Sequence, residues 1–175
     1  MIKGIRIGVF SPYPEFGRLI KKIGQDYDVQ LIIEPLILSE AAEVAMKWQR
    51  DDAVDAVVAR GPTAHIVEEA VDIPVSTVDI TNFDMMKTLH RARVLYNTPI
   101  GFVIHKNSSF KFNFDTYKEM LNMDFEVYYY KNDADLLKQI ELAWGEGVKT
   151  MIATGSCIVN KTSDRDIKSL FVHSN

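Results

Sequence analysis

The chain is poor in cysteine. Cys157 is the only one in 175 residues, which excludes an intrachain disulfide framework and a zinc site built on several thiolates. One thiol suits a reducing compartment, and the cytoplasm is the expected location. No apolar run approaches the ~18 residues of a membrane-spanning helix, so no membrane partner is expected. Lys and Arg form no block and the formal net charge is −4, so the chain itself has no grip for nucleic-acid phosphates. The nucleotide signatures are missing too. The first strand exits through Phe10-Ser11-Pro12 rather than a Gly-x-Gly-x-x-Gly turn, and there is no Gly-x4-Gly-Lys-Ser/Thr loop. A phospho-acceptor receiver would need acidic residues where Ser11 and Arg60 stand. No Gly-x-Ser-x-Gly elbow occurs. The histidines His65, His90, His105 and His173 have no metal-ligand spacing, so no metal site is expected.

What is present is an alternation of short apolar runs with helical patterns. Strands are expected over residues 5–10, 29–33, 54–59, 74–80, 100–104, 125–130, 150–153 and 168–172, with helices between them. Ser39 is expected to open the second helix. After the third strand, Gly61 reads as a helix N-cap and Pro62 as the first helical residue, where a missing N–H costs nothing. Met46, Met85, Met86, Met120, Met123 and Met151 fall in apolar patterns and read as core. Shifted by 94 positions, residues 54–78 overlie 148–172, with Ala59/Ala153, Gly61/Gly155, Asp72/Asp166, Ile73/Ile167 and Val78/Val172 identical. Such an echo favours two similar lobes, with one eight-stranded sheet as the competitor.

The expected architecture is α/β: two Rossmann-like lobes, each a parallel four-stranded sheet flanked by helices, meeting across a cleft. The Asn97-Thr98-Pro99 turn is the expected boundary, giving lobes 1–96 and 97–175. The series stops on a strand, and the natural protein is expected to continue beyond 175.

In parallel sheets the loops after the strands gather at one edge, where open α/β folds bind ligands. Here they bring Ser11, Arg60 to Thr63, Thr81, Asn82, His105, Thr154 to Ser156 and His173. Arginine holds a carboxylate through two parallel hydrogen bonds, and helix N-termini add positive ends, so the collection suits a small anion. The bland alternative is that polar residues cap strands everywhere. Cys157, near a helix start, permits a nucleophile as in two-lobed racemases. The matching position of the first half is Thr63, however, and a structural thiol is the favoured reading.

The run Val57-Val58-Ala59-Arg60-Gly61-Pro62-Thr63-Ala64, followed by Ile73-Pro74-Val75 and Thr81-Asn82-Phe83-Asp84, resembles the N-terminal sensor domain of propionate catabolism activators. That family shows an Arg-Gly-Gly-Thr-Ala loop, an Ile-Pro-Val strand start and a Ser-Gly-Tyr/Phe-Asp helix start. Pro62 replaces its second glycine and Thr81-Asn82 its Ser-Gly. Both departures fall at the implied site rather than in the fold.

The resemblance implies a regulator of the NtrC type with lobes like those of periplasmic binding proteins. It implies a small organic acid, such as 2-methylcitrate, as ligand. An ATPase module acting on RNA polymerase with its alternative sigma factor, and a DNA-binding helix-turn-helix, would lie in other domains. ATP is therefore implied for a full-length regulator only, and a homo-oligomer is allowed. On this reading no residue is catalytic. Arg60, Gly61, Pro62 and Thr63 anchor the anion. Ser11, Thr81 and Asn82 add hydroxyl and amide contacts. Thr154, Gly155, Ser156, His105 and His173 close from the second lobe. The alternative is a racemase- or lyase-like enzyme on the same scaffold.

Overall fold

Strands and helices succeed one another along the chain, with two helices in a row after the fifth strand. The computed structural model describes residues 4–96, 98–109 and 111–174. The strands are β1 (Ile5–Phe10), β2 (Val29–Glu34), β3 (Ala56–Arg60), β4 (Val75–Val78), β5 (Ile100–His105), β6 (Glu126–Tyr130), β7 (Thr150–Ala153) and β8 (Lys168–Phe171). The helices are α1 (Pro14–Gly24), α2 (Leu38–Arg50), α3 (Gly61–Ala70), α4 (Asn82–Leu95), α5 (Lys106–Ser109), α6 (Phe114–Leu121), α7 (Asp133–Gly145) and α8 (Cys157–Lys161). They build two parallel sheets with the same winding, β2-β1-β3-β4 and β6-β5-β7-β8. The repeat is therefore architectural: β3 and β7 hold the same place in their sheets, as do β4 and β8, so two sheets replace the single-sheet alternative.

The chain forms two compact units, Met1–Asp79 and Ile80–Asn175. In the first, β1 alternates cleanly. A Cβ at Gly8 would meet the Trp48 ring at 2.4 Å, and Phe10 stacks on that ring with centroids 4.8 Å apart. Ile5, Ile7 and Val9 therefore face the other way. The Trp48 side carries a buried cluster that joins Phe10, Val57 and Ala59 to Ala41, Ala45, Ala64 and Val67 of α2 and α3. The opposite side carries α1, which lies close on β2, since a Cβ at Gly24 would meet Leu31 at 2.7 Å.

In the second unit both sides of the sheet are closed. Phe102 and Ile104 meet Met85, Leu89 and Ala92 of α4 and Phe114 and Tyr117 of α6. Val103, Tyr128 and Met151 meet Leu136 and Ile140 of α7 and Ile158 of α8. Each fully buried Leu, Ile or Phe is worth roughly 1.5–3 kcal/mol.

Several expectations change. The turn at 97–99 does not divide the packing: α4 belongs with the second sheet, because Met85, Leu89 and Ala92 are its buried face. Asn97 itself lies outside the described residues, as do residues 1–3. Arg60, not Gly61, is the N-cap of α3, and Pro62 is its second residue. Gly61 enters the helix at φ +52°, a left-handed conformation that glycine adopts without cost. Helix α2 starts one residue early, at Leu38, whose φ of +53° is strained for a leucine. Met46 and Met120 are 45% and 65% exposed, on the outward faces of their helices, so neither is core. The one-turn helix α5 has no apolar period and was not expected.

Candidate functional site

The carboxyl ends of β1, β2, β3 and β4 form one edge of the first sheet. Of the residues singled out in the sequence, Ser11, Arg60, Gly61, Pro62 and Thr63 sit there. Arg60 ends β3 and shares a side of the sheet with Val58, opposite Val57 and Ala59. Only 4% of it is exposed, which is costly for a charge unless fixed partners surround it. One of them is an aromatic face: its guanidinium carbon lies 5.7 Å from the centre of the Tyr13 ring, within cation–π range. Tyr13 is buried and also N-caps α1, without a side-chain cap bond.

The polar neighbours are partly committed. The Ser11 hydroxyl donates to the Tyr13 carbonyl at 2.8 Å, which fixes the loop that carries the ring. The Leu38 amide donates to Thr63 Oγ1 at 3.1 Å, so Thr63 holds the strained entry to α2 while its own hydroxyl proton stays available. Directly after Arg60 come the left-handed Gly61 and the start of a ten-residue helix. The positive end of that helix stands at the same edge as the guanidinium, two sources of attraction for an anion. Pro62 removes one amide donor from this first turn.

Thr81 and Asn82 fall in the second unit, and their polar atoms are engaged there. Thr81 Oγ1 accepts from the Asp84 amide at 3.1 Å and donates to Asp84 Oδ2 at 2.8 Å, while the same carboxylate oxygen accepts from the Thr81 amide at 3.0 Å. This capping box spends the hydroxyl expected to meet a ligand. Asn82 Oδ1 accepts from the Tyr117 hydroxyl at 2.5 Å, although the residue as a whole is exposed.

The second sheet presents its own carboxyl edge, with His105, Thr154, Gly155, Ser156 and His173. His105 is buried and both ring nitrogens are used. Its Nδ1 accepts from the Asn107 amide at 3.3 Å, and its Nε2 lies 3.0 Å from the Lys131 carbonyl. That pattern needs a neutral ring with the proton on Nε2, and it favours the strand-end role over a ligand contact. His173 stacks on Phe171, with ring centroids 4.1 Å apart. Thr154 is buried, whereas Gly155 and Ser156 are partly open.

Cys157 is a poor nucleophile. Loss of water contact pushes its thiol up to about 11, against a smaller opposing pull from Lys161. At neutral pH it is a protonated thiol. Tyr130, edge-on to His105 at 5.2 Å, is raised above its ordinary value by burial, with smaller contributions from Cys157 and Asp133. Among the described residues no group of three or more His, Cys, Asp or Glu could hold a metal ion. No helix of the described residues is long and apolar enough to cross a membrane.

One contact and one residue were missed. Tyr13 stands in a loop that the sequence brings to this edge beside Ser11, but nothing in the sequence paired it with Arg60. Ser108 is buried, and its hydroxyl has no partner among the described residues; its only signal was a hydroxyl close behind β5.

Comparison with known proteins agrees with this architecture. A family model described as propionate catabolism activator matches residues 25–175. No curated protein matches the chain. Among solved structures, an NtrC family transcriptional regulator from Clostridium acetobutylicum superposes with a TM-score of 0.89 at 20% identity, over 98% of this chain and 89% of that one. A periplasmic binding protein from Burkholderia mallei reaches a TM-score of 0.45 at 11% identity, over 99% of this chain and 62% of that one.

Proposed function

The chain belongs to the propionate catabolism activator family, and from that premise we propose that it is the sensor of a transcription regulator whose effector is a small organic acid. The observation that supports this reading most is Arg60. A guanidinium almost closed to solvent stands at the end of β3, next to a glycine with left-handed backbone and the start of α3. A carboxylate is the group that matches a rigid guanidinium fork beside the positive end of a helix. Pro62, which takes a donor away from the helix start, is the residue proposed to set this member's acid preference.

The chain acts here as a binder, not a catalyst. The protonated Cys157 and the neutral, fully bonded His105 support that reading. Binding then shifts the population of conformations that downstream segments read. ATP use, DNA contact and engagement of the polymerase are proposed for segments of the regulator outside this sequence.

Calorimetric titration with propionate, citrate, 2-methylcitrate and related acids tests the proposal. One acid is expected to bind, and Arg60→Lys, which keeps the charge but loses the fork, is expected to weaken it about 10- to 100-fold, the worth of a charge-assisted hydrogen bond. Unchanged affinity in Arg60→Lys would remove Arg60 from the site.

A further inference from the structure

The first unit has a concavity at the start of α1. It measures about 450 Å³ and opens between the start of α1 and the ends of β1 and β2. Its floor is apolar, made by Tyr13, Ile33 and Pro35; its rim is Arg18 and Lys21.

Three features make it more than a surface dent. First, the helix wall is bare. Gly17 lines the concavity, and a Cβ there would meet Ser11 Oγ at 2.9 Å and Ile33 Cγ2 at 3.6 Å. A glycine inside a helix costs about 1 kcal/mol relative to alanine, and here it lets α1 close onto the loop that makes the floor. Second, the walls are preformed. Pro12, Pro14 and Pro35 line them, and proline loses little freedom when a ligand settles on it. Third, the rim is cationic and available. Arg18 Nη2 reaches Glu15 at 2.7 Å, but both side chains are more than 60% exposed, so that pair is weak and exchangeable. Lys21 has no ion pair among the described residues, although the chain as a whole is acidic.

We propose that this concavity is an accessory binding site for a small amphiphilic carboxylate, whose apolar body rests on Tyr13, Ile33 and Pro35 and whose anionic end reaches Lys21 and Arg18. The site shares Ser11 and Tyr13 with the edge that carries Arg60, but its charge comes from Arg18 and Lys21.

Benzoate serves as the probe, with acetate and benzyl alcohol as controls that lack the body or the charge. Methyl NMR of the whole chain, followed at Ile33, reads the site directly. Benzoate is expected to shift the Ile33 methyls saturably, and both controls are expected to need at least fivefold higher concentration. Lys21→Glu, an exposed and fold-neutral change, is expected to weaken benzoate about fivefold or more, in keeping with the loss and reversal of one exposed ion pair. Lys21→Glu is expected to leave the calorimetric affinity for the effector acid unchanged, which separates this site from the effector site. No Ile33 shift with benzoate, equal binding of benzyl alcohol, or an unaltered titration in Lys21→Glu would overturn the proposal.

Discussion

The two units share one winding and differ in how they finish it. The second sheet is covered on both sides by buried clusters. Among the described residues of the first, a buried cluster covers only the α2/α3 side. On its other side Val9 is buried under α1, but Ile7, Val29, Leu31, Ala56, Val58 and Val78 are half-buried, and Ile5 is 56% exposed. Helix α1 lies over β2 and leaves Leu19 and Ile23 open to solvent. Arg60 stands on that same, less covered side. A scaffold can be closed for stability in one half and left open for recognition in the other, and binding elements are drawn from the less stable end by necessity.

Matched substitutions sharpen the contrast. Ile7 and Ile100 occupy corresponding places in β1 and β5, but Ile100 is buried and Ile7 half-buried. Ile100→Ala is expected to cost about 2–5 kcal/mol in urea unfolding, and Ile7→Ala about half as much. Equal costs would erase the asymmetry. The glycines that follow them reverse the order. Gly8→Ala places a methyl 2.4 Å from the buried Trp48 ring, whereas Gly101→Ala meets Tyr128 at 2.9 Å and Val148 at 3.1 Å. Both overpack, at about 1–3 kcal/mol, and Gly8→Ala is expected to cost more, because its one well-packed side is the only one with a buried cluster.

Helix starts give a third comparison. Helix α1 opens without a side-chain cap, and α4 opens with a capping box. Thr81→Ala is expected to cost about 0.5–2 kcal/mol, read as a lower thermal midpoint, whereas Tyr13→Phe removes no cap and is expected to leave the midpoint nearly unchanged. The smallest effect concerns Cys157. With its thiol raised to about 11, the thiolate fraction is small at pH 8 and climbs tenfold per pH unit below that value. Alkylation by iodoacetamide should follow the same slope. A plateau near pH 8 would restore a reactive cysteine.

The sheets were legible because parallel strands buried on both faces read as continuous apolar runs, and the Val54-to-Val78 echo paired the halves. The allegiance of α4 was not. Its apolar period shows that Met85 and Leu89 are buried, and periodicity cannot say against which sheet. Leu38 hid its left-handed backbone, since leucine carries no mark for that conformation, and the Thr63 hydroxyl that holds it is 25 residues away. At the site, residue types were readable and their commitments were not. Arg60 was singled out by its position at a strand end, while Thr81 serves a helix cap and His105 a strand end. These are local bargains among neighbours, invisible until the neighbours are in place.

Each sheet is drawn from one uninterrupted length of chain, with the change-over between Asp79 and Ile80. Among the described residues no strand takes a hydrogen-bonded partner from the other length. A chain severed there would leave each fragment with a complete winding order.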